Sequence, residues 1–107
     1  HNTKGTRIDA LMAATDLMAI GAIKYCNRQG IPVPAEVAVV GFDNISLCEI
    51  IEPSLTTIAQ PINELGRAAA EIIIDSIESG GRKTSRLIMK SKLVIRGSTE
   101  RRGLSAE

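Results

Sequence analysis

The apolar residues in the first half of the chain fall into two short runs separated by one longer segment. Residues 8–14 are almost continuously apolar, and residues 37–42 form a second short run that is rich in β-branched side chains. The longer segment, residues 17–29, follows Asp16 and stops at Gly30. This order predicts a strand, a helix and a second strand. In this βαβ unit the strands are parallel, Asp16 is the N-cap of the helix and Gly30 follows its C-terminus.

The second half predicts an amphipathic helix among short strands. Apolar residues recur at helical spacing from Ile62 to Ile77. Pro61 suits the first position of that helix, and Gly80-Gly81 ends it. Further strands are predicted at residues 55–58, 87–89 and 93–96, with a loop at residues 44–53.

The first predicted helix is apolar on more than one face. Between Leu17 and Cys26, Lys24 is the only charged residue. A helix that packs on one sheet needs an apolar stripe only about 100° wide, so the excess predicts a second buried contact. That contact is either the interior of a larger domain or an interface between subunits.

The amino-acid composition mainly argues against certain classes of function. Thirteen Lys and Arg against twelve Asp and Glu give a net charge of +1, and there is no Trp, one Tyr and one Phe. A segment that holds DNA by itself is usually clearly basic. The lack of aromatic rings also argues against a ring-lined carbohydrate cleft and against a platform for stacked bases.

Candidate catalytic chemistry is missing. The single His is residue 1, so no Ser–His or Cys–His pair is available, and we expect no enzyme. Cys26 and Cys48 lack metal-ligand spacing, so we predict free thiols, as in the cytoplasm, with no metal site and no cofactor. No apolar run is long enough to span a membrane.

Two carboxylates occupy equivalent positions in the predicted βαβ unit, because Asp16 follows the first strand and Asp43 follows the second. Ligands of open parallel sheets bind beyond the carboxyl ends of the strands. A carboxylate there accepts two hydrogen bonds, for example from vicinal sugar hydroxyls or from a nucleobase edge. Two plainer interpretations stay open, namely an N-cap for Asp16 and a turn residue for Asp43.

Several motifs together resemble one family. They are ALMAATDLMAIGAIKYCNRQGIPVPAEVAVVGFDN at residues 10–44, PSLTTIAQP at 53–61, GRAAAEIII at 66–74 and LVIRGST at 93–99. In order and spacing they resemble the C-terminal part of the lactose/galactose repressor family of bacterial transcription regulators. The resemblance runs from about Ile8 to Thr99, nearly the whole chain.

The resemblance implies an α/β fold like that of periplasmic binding proteins, with a three-layer, mainly parallel sheet that is incomplete in this chain. Residues 8–59 would belong to the C-terminal subdomain, residues 60–92 would cross to the N-terminal subdomain, and residues 93–99 would return. Residues 1–7 would be an irregular arm and residues 100–107 a tail. The helix-turn-helix that binds operator DNA in this family is not in the sequence.

The resemblance also implies roles for individual residues. Asp43, in GFDN, matches the acidic residue that hydrogen-bonds the effector in sugar- and purine-responsive members of the family. The resemblance implies Asp43, Thr15 and Gln60 as effector contacts, and Asp16 joins them as a predicted contact through its position after the first strand. The implied homodimer interface consists of Leu17, Ile20 and Lys24 on the first helix and of Ile50 and Ile51 in the following loop. The LTT at residues 55–57 is interpreted as a structural signature.

The function implied is that of the effector-sensing and dimerisation part of a cytoplasmic DNA-binding regulator. A sugar or purine-like molecule would favour one arrangement of the two subdomains and so change operator affinity. The alternative is a periplasmic sugar-binding protein of a transporter, which has the same architecture. An upstream helix-turn-helix would favour the regulator and a signal peptide the transporter.

Overall fold

The computed structural model describes residues 7–81 and 86–100. The elements in chain order are β1 (Ala10–Met12), α1 (Asp16–Arg28), β2 (Ala38–Val40), α2 (Leu47–Ile50), β3 (Thr57–Ala59), α3 (Ile62–Glu78) and β4 (Lys92–Val94). They fall into two compact units. The first contains the described residues up to Ala59 and from Lys92 onward, and the second runs from Gln60 to Ser91.

The predicted βαβ unit is confirmed in the first unit. β1 and β2 are parallel neighbours, with Ala10 beside Ala38 and Met12 beside Val40. α1 buries one stripe, Asp16, Ala19, Ile23 and Cys26, at helical spacing. The buried apolar side chains of this unit form one core, which consists of Ala13, Ala19, Ile23, Cys26, Ile31, Val37, Val39, Cys48 and Leu55.

The two ends of α1 differ in how well the sequence predicts them. Gly30 lies beyond the C-terminus as predicted, with φ +72°. The Ile31 N–H donates to the Cys26 carbonyl at 2.8 Å, which completes a Schellman motif. The prediction that Asp16 is the N-cap was wrong. Thr15 is the N-cap, and its Oγ1 accepts from the Met18 N–H at 3.2 Å.

The strands that the structure describes form two two-stranded sheets, one parallel (β1 and β2) and one antiparallel (β3 and β4). β3 joins β2 through one parallel bridge between Val40 and Thr56. On its other side it pairs with β4, and that pairing is antiparallel. β3 and β4 thus form a small sheet separate from that of β1 and β2, and the three-layer, mainly parallel sheet stays a prediction.

Three predictions of local structure also change. Pro61 is the N-cap of α3 instead of its first residue. The segment 87–89 is not a strand, and the predicted loop at 44–53 contains the one-turn helix α2. Gly80, with φ +74°, ends α3 as predicted. Apart from Arg7 and Glu100, the predicted arm and tail lie outside the described residues.

Candidate functional site

The segments that follow β1 and β2 stay side by side beyond the strands. The Ala13 N–H donates to the Val40 carbonyl at 2.9 Å, and the Asp16 N–H donates to the Phe42 carbonyl at 3.1 Å. The backbone therefore brings Thr15 and Asp16 next to the Phe42–Asp43 turn. The expectation that the residues after the two strands share one edge of the sheet is confirmed for the backbone.

The loop that carries Asp43 has an unusual backbone. Asp43 and Asn44 have φ values of +126° and +67°, in the left-handed region that favours glycine. Two contacts with the β3 segment hold them there. The Asp43 N–H donates to the Ile58 carbonyl at 2.9 Å, and the Asn44 N–H donates to Thr57 Oγ1 at 3.3 Å. Non-glycine residues keep such conformations only where the surroundings impose them, and they cluster at functional sites.

Asp16 is held inside the protein rather than at a crevice. It is 1% exposed, and both of its carboxylate oxygens accept hydrogen bonds. Oδ1 accepts from Thr57 Oγ1 at 2.6 Å, while Oδ2 accepts from the Ile45 N–H at 2.8 Å and from Cys48 Sγ at 3.1 Å. The carboxylate thus joins α1 to β3 and to the loop after Asp43. This arrangement favours a structural role for Asp16 over the predicted contact with an effector.

The charge on Asp16 is stabilised in spite of its burial. Burial raises the pKa of the carboxyl, but hydrogen bonds from Thr57, Ile45 and Cys48 favour the ionised form, so the net pKa lies below its usual value. Burial, the hydrogen bond to Asp16 and the negative charge of Asp16 raise the pKa of Cys48 to about 11. The Cys48 thiol therefore stays protonated near neutral pH and serves as a donor.

A second buried polar group, Ser98, contacts β2 and the segment before β3. Ser98 is fully buried, and its Oγ donates to the Val39 carbonyl and accepts from the Thr56 N–H at 2.9 Å. Thr56 Oγ1 accepts in turn from the Arg96 N–H at 2.8 Å. The threonines of LTT thus serve as internal links, which agrees with their interpretation as a structural signature. Sequence reasoning assigned no role to Arg96, Ser98 or Cys48, because their partners are distant in the chain.

The residues predicted for the dimer interface differ in exposure. Leu17 is 66% exposed and Ile50 is 73% exposed, and Lys24 is exposed as well. Ile20 and Ile51 are half-buried and pack against the core. Leu17 and Ile50 therefore present the apolar surface that an interface would need, whereas Ile20 and Ile51 already contribute to the interior.

Gln60, the fourth predicted effector contact, is the first residue of the second unit. It is half-buried, and its carbonyl accepts from the Ile62 N–H at 2.8 Å at the start of α3. The other three predicted contacts, Thr15, Asp16 and Asp43, belong to the first unit. A role for Gln60 in effector binding stays a prediction.

The described residues also bear on the other chemistry considered above. Cys26 and Cys48 are free and buried, so the prediction of free thiols is confirmed. Within residues 7–81 and 86–100, no three His, Cys, Asp or Glu residues are grouped so as to hold a metal ion. No helix in those same ranges has the length and apolar character needed to cross a membrane.

Comparison with known proteins agrees with this architecture. Residues 2–99 match the family model described as a periplasmic binding protein-like domain. Because the match covers nearly the whole chain, the chain belongs to the periplasmic binding protein-like domains.

Individual relatives give the narrower family. The chain is 41% identical over 90 residues to the HTH-type transcriptional repressor CytR of Escherichia coli strain K12, covering 84% of the chain and 26% of the repressor. A transcriptional regulator CelR–cellobiose complex superposes with a TM-score of 0.79 at 37% identity, over 84% of this chain and 28% of that one. A LacI family transcriptional regulator from Arthrobacter sp. FB24, in complex with lactose, superposes with a TM-score of 0.75 at 40% identity, over 86% and 35%. Within the periplasmic binding protein-like domains, the chain therefore belongs to the LacI family of transcriptional regulators, as the motifs predicted.

The chain spans only part of these relatives. It covers 26% of the length of CytR and 28% and 35% of the two solved chains. The activity, ligands and partners of such a regulator are therefore proposals for this chain.

Proposed function

We propose that the chain is the effector-sensing and dimerisation part of a DNA-binding transcriptional regulator, with Asp43 as its principal effector contact. The single observation that carries this proposal is the backbone of Asp43. Its φ of +126° is costly for any residue other than glycine, and neighbouring segments hold it in place. A carboxylate that stays at such a costly position is explained if it is needed to bind the effector.

Thr15 is the second proposed contact. Its Oγ1 accepts the capping hydrogen bond from Met18, and its hydroxyl proton can still be donated. Thr15 therefore offers a donor on the segment whose backbone pairs with the Phe42–Asp43 turn, and Asp43 offers acceptor oxygens. A polyol or a nucleobase edge carries donors and acceptors close together and suits such a pair. Two of the regulators that the chain resembles are complexes with cellobiose and with lactose, which supports a sugar.

The proposed mechanism is a shift in population. An effector bound in the cleft would stabilise one arrangement of the two subdomains of the complete three-layer domain. The dimer would pass that arrangement to the DNA-binding segments and change operator affinity. The transporter alternative is not favoured, because CytR, CelR and the Arthrobacter protein are all transcriptional regulators. A protein that acts on operator DNA works in the cytoplasm, which we propose as its location.

The effector test uses the full-length protein. We expect one of cellobiose, lactose, ribose, adenine or guanosine to raise its thermal midpoint and to change its affinity for operator DNA, measured by fluorescence anisotropy. If a sugar or purine binds without changing operator affinity, the regulatory part of the proposal fails. If the protein binds no operator, the transporter alternative replaces it.

Dimerisation would use the exposed apolar residues of α1 and α2. We expect Leu17→Glu to raise the dimer dissociation constant of the full-length protein about 100-fold, which corresponds to about 2.7 kcal/mol. A buried leucine contact would be lost and a charge would be left without a partner. Sedimentation velocity at a series of concentrations measures the change.

Leu17→Glu is a better test than a charge at Ile20, because Ile20 also packs against the core. The matched control is Ala35→Glu, which adds the same charge at an exposed position outside the predicted interface. The control should sediment as the wild type does. A Leu17→Glu protein that remains dimeric at low concentration would refute the assignment of this surface.

A further inference from the structure

The guanidinium of Arg96 connects three segments of the first unit. Nη1 donates to the Leu55 carbonyl at 2.9 Å, and Nη2 donates to Asn44 Oδ1 at 2.9 Å. Nη2 also lies 3.7 Å from Glu49 Oε2 on α2. The Arg96 side chain is only 13% exposed, whereas Glu49 is mostly exposed, so the ion pair adds little. The two hydrogen bonds are the main contacts of the guanidinium group.

The backbone beneath Arg96 is firmly anchored. The Arg96 N–H donates to Thr56 Oγ1 at 2.8 Å, and the Ser98 N–H donates to the Ser54 carbonyl at 2.8 Å. The Val39 N–H donates to the Ser98 carbonyl at 3.1 Å, which ties the same segment to β2. The guanidinium therefore extends toward Asn44 from a backbone segment that is hydrogen-bonded to the neighbouring strand segments.

Asn44, whose side chain accepts from Arg96, has a backbone conformation that must be stabilised by other contacts. Asn44 has φ +67° and directly follows Asp43, whose φ is +126°. The Ile58 carbonyl and Thr57 Oγ1, both in β3, accept from the two N–H groups, and Arg96 adds a link to the Asn44 side chain. A donor with a fixed fork geometry limits rotation of the amide and hence of the loop.

We propose that Arg96 is a positioning residue that holds the Asp43 loop in the geometry required for effector binding and acts through the Asn44 amide. This proposal rests on the proposed function of Asp43. Arg96 itself would not touch the effector. It would reduce the conformational freedom that Asp43 must lose when the effector binds.

The first test is hydrogen exchange in the full-length protein without effector. In Arg96→Gln, we expect protection of the amides of Asn44 and Ile45 to fall about tenfold, while amides in the middle of α1 keep theirs. Arg96→Lys should recover part of the loss, because it retains the charge but not the fork. If protection is unchanged, or falls equally along α1, Arg96 is a general structural residue and the proposal is overturned.

Variants at Asn44 test the route of action. Asn44→Gly permits the left-handed backbone and removes the acceptor, whereas Asn44→Asp retains an acceptor. Asn44→Gly should lower Ile45 protection as Arg96→Gln does, and Asn44→Asp should not. The double variant Arg96→Gln/Asn44→Gly should lose no more than either single variant. An additive loss would show that Arg96 does not act through Asn44. If Arg96→Gln fails to fold, Asn44→Gly and Asn44→Asp still test whether the Asn44 acceptor holds the loop.

The second test measures affinity for whichever of cellobiose, lactose, ribose, adenine or guanosine binds the wild type. Arg96→Gln should raise the dissociation constant about tenfold, with operator affinity in the absence of that probe unchanged. If a probe binds and Arg96→Gln binds it equally well, the positioning role fails while the proposed function stands. If no probe binds but loop protection falls as expected, the proposed function fails and the link from Arg96 to the loop stands.

Discussion

Asp16→Ala is expected to lower the free energy of unfolding of the chain by about 4 kcal/mol, because it leaves two buried donors and one partly buried donor without an acceptor. These donors are Thr57 Oγ1, the Ile45 N–H and Cys48 Sγ. Asp16→Asn retains one acceptor oxygen and should cost about half as much. Urea denaturation measures both losses as shifts of the midpoint.

The same carboxylate predicts how stability depends on pH. The pKa of Asp16 in the folded chain lies below its usual value of 3.8. The stabilisation is therefore fully present above about pH 4 and is lost as pH falls through the folded pKa. Urea midpoints measured from pH 6 downward should decline more for the wild type than for Asp16→Asn, which lacks the titrating group.

The control for these variants is Asp9→Ala, because the Asp9 side chain is largely exposed. It should change the free energy of unfolding by less than about 0.5 kcal/mol. If Asp16→Ala proved no more costly than Asp9→Ala, the hydrogen bonds of Asp16 could not be what joins α1 to the Asp43 loop.

The second large effect is expected at Gly41, which directly follows β2 and lies close to the start of α1. A Cβ at Gly41 would overlap Asp16 Oδ1 and would lie 2.9 Å from Leu55 Cδ2 and 3.1 Å from the Asp16 Cα. Neither the helix backbone nor a fully engaged carboxylate can move away freely. Gly41→Ala should therefore cost about 3 kcal/mol.

Gly21→Ala is the matched control for Gly41. Gly21 lies inside α1, and a Cβ there would meet nothing within 4 Å. Replacing glycine by alanine within a helix should stabilise it by about 0.5–1 kcal/mol. Urea midpoints of the two variants should therefore move in opposite directions. Equal midpoints would mean that the close approach at Gly41 is not tight.

The sequence predicted the features that depend on local pattern. The apolar residues that predicted a helix after Asp16 lie within one segment, and the chemistry that lets Gly30 end α1 is equally local. Both predictions are confirmed. The resemblance also allowed the family to be predicted, because four separated motifs preserve their order and spacing over most of the chain.

The sequence could not reveal which polar residues bond to each other across the fold. Thr15 and Asp16 are both good N-caps, and Asp16 is the stronger choice from propensity. In the structure the acceptors of Asp16 are used by Thr57 and Ile45, which are 41 and 29 residues away in the chain. No periodicity signals such pairs. The antiparallel pairing of β4 with β3 is hidden in the same way, since it depends on where the chain re-enters the first unit.

The effector affinity of Asp43→Gly in the full-length protein tests the central proposal most directly. Glycine adopts the φ of +126° without strain, so this variant avoids the backbone strain that an Ala variant would carry. We expect it to bind whichever of cellobiose, lactose, ribose, adenine or guanosine is the effector about 100-fold more weakly than the wild type does. Isothermal titration measures this loss, which follows because the charged acceptor is gone. A stable Asp43→Gly protein with wild-type affinity would contradict the account.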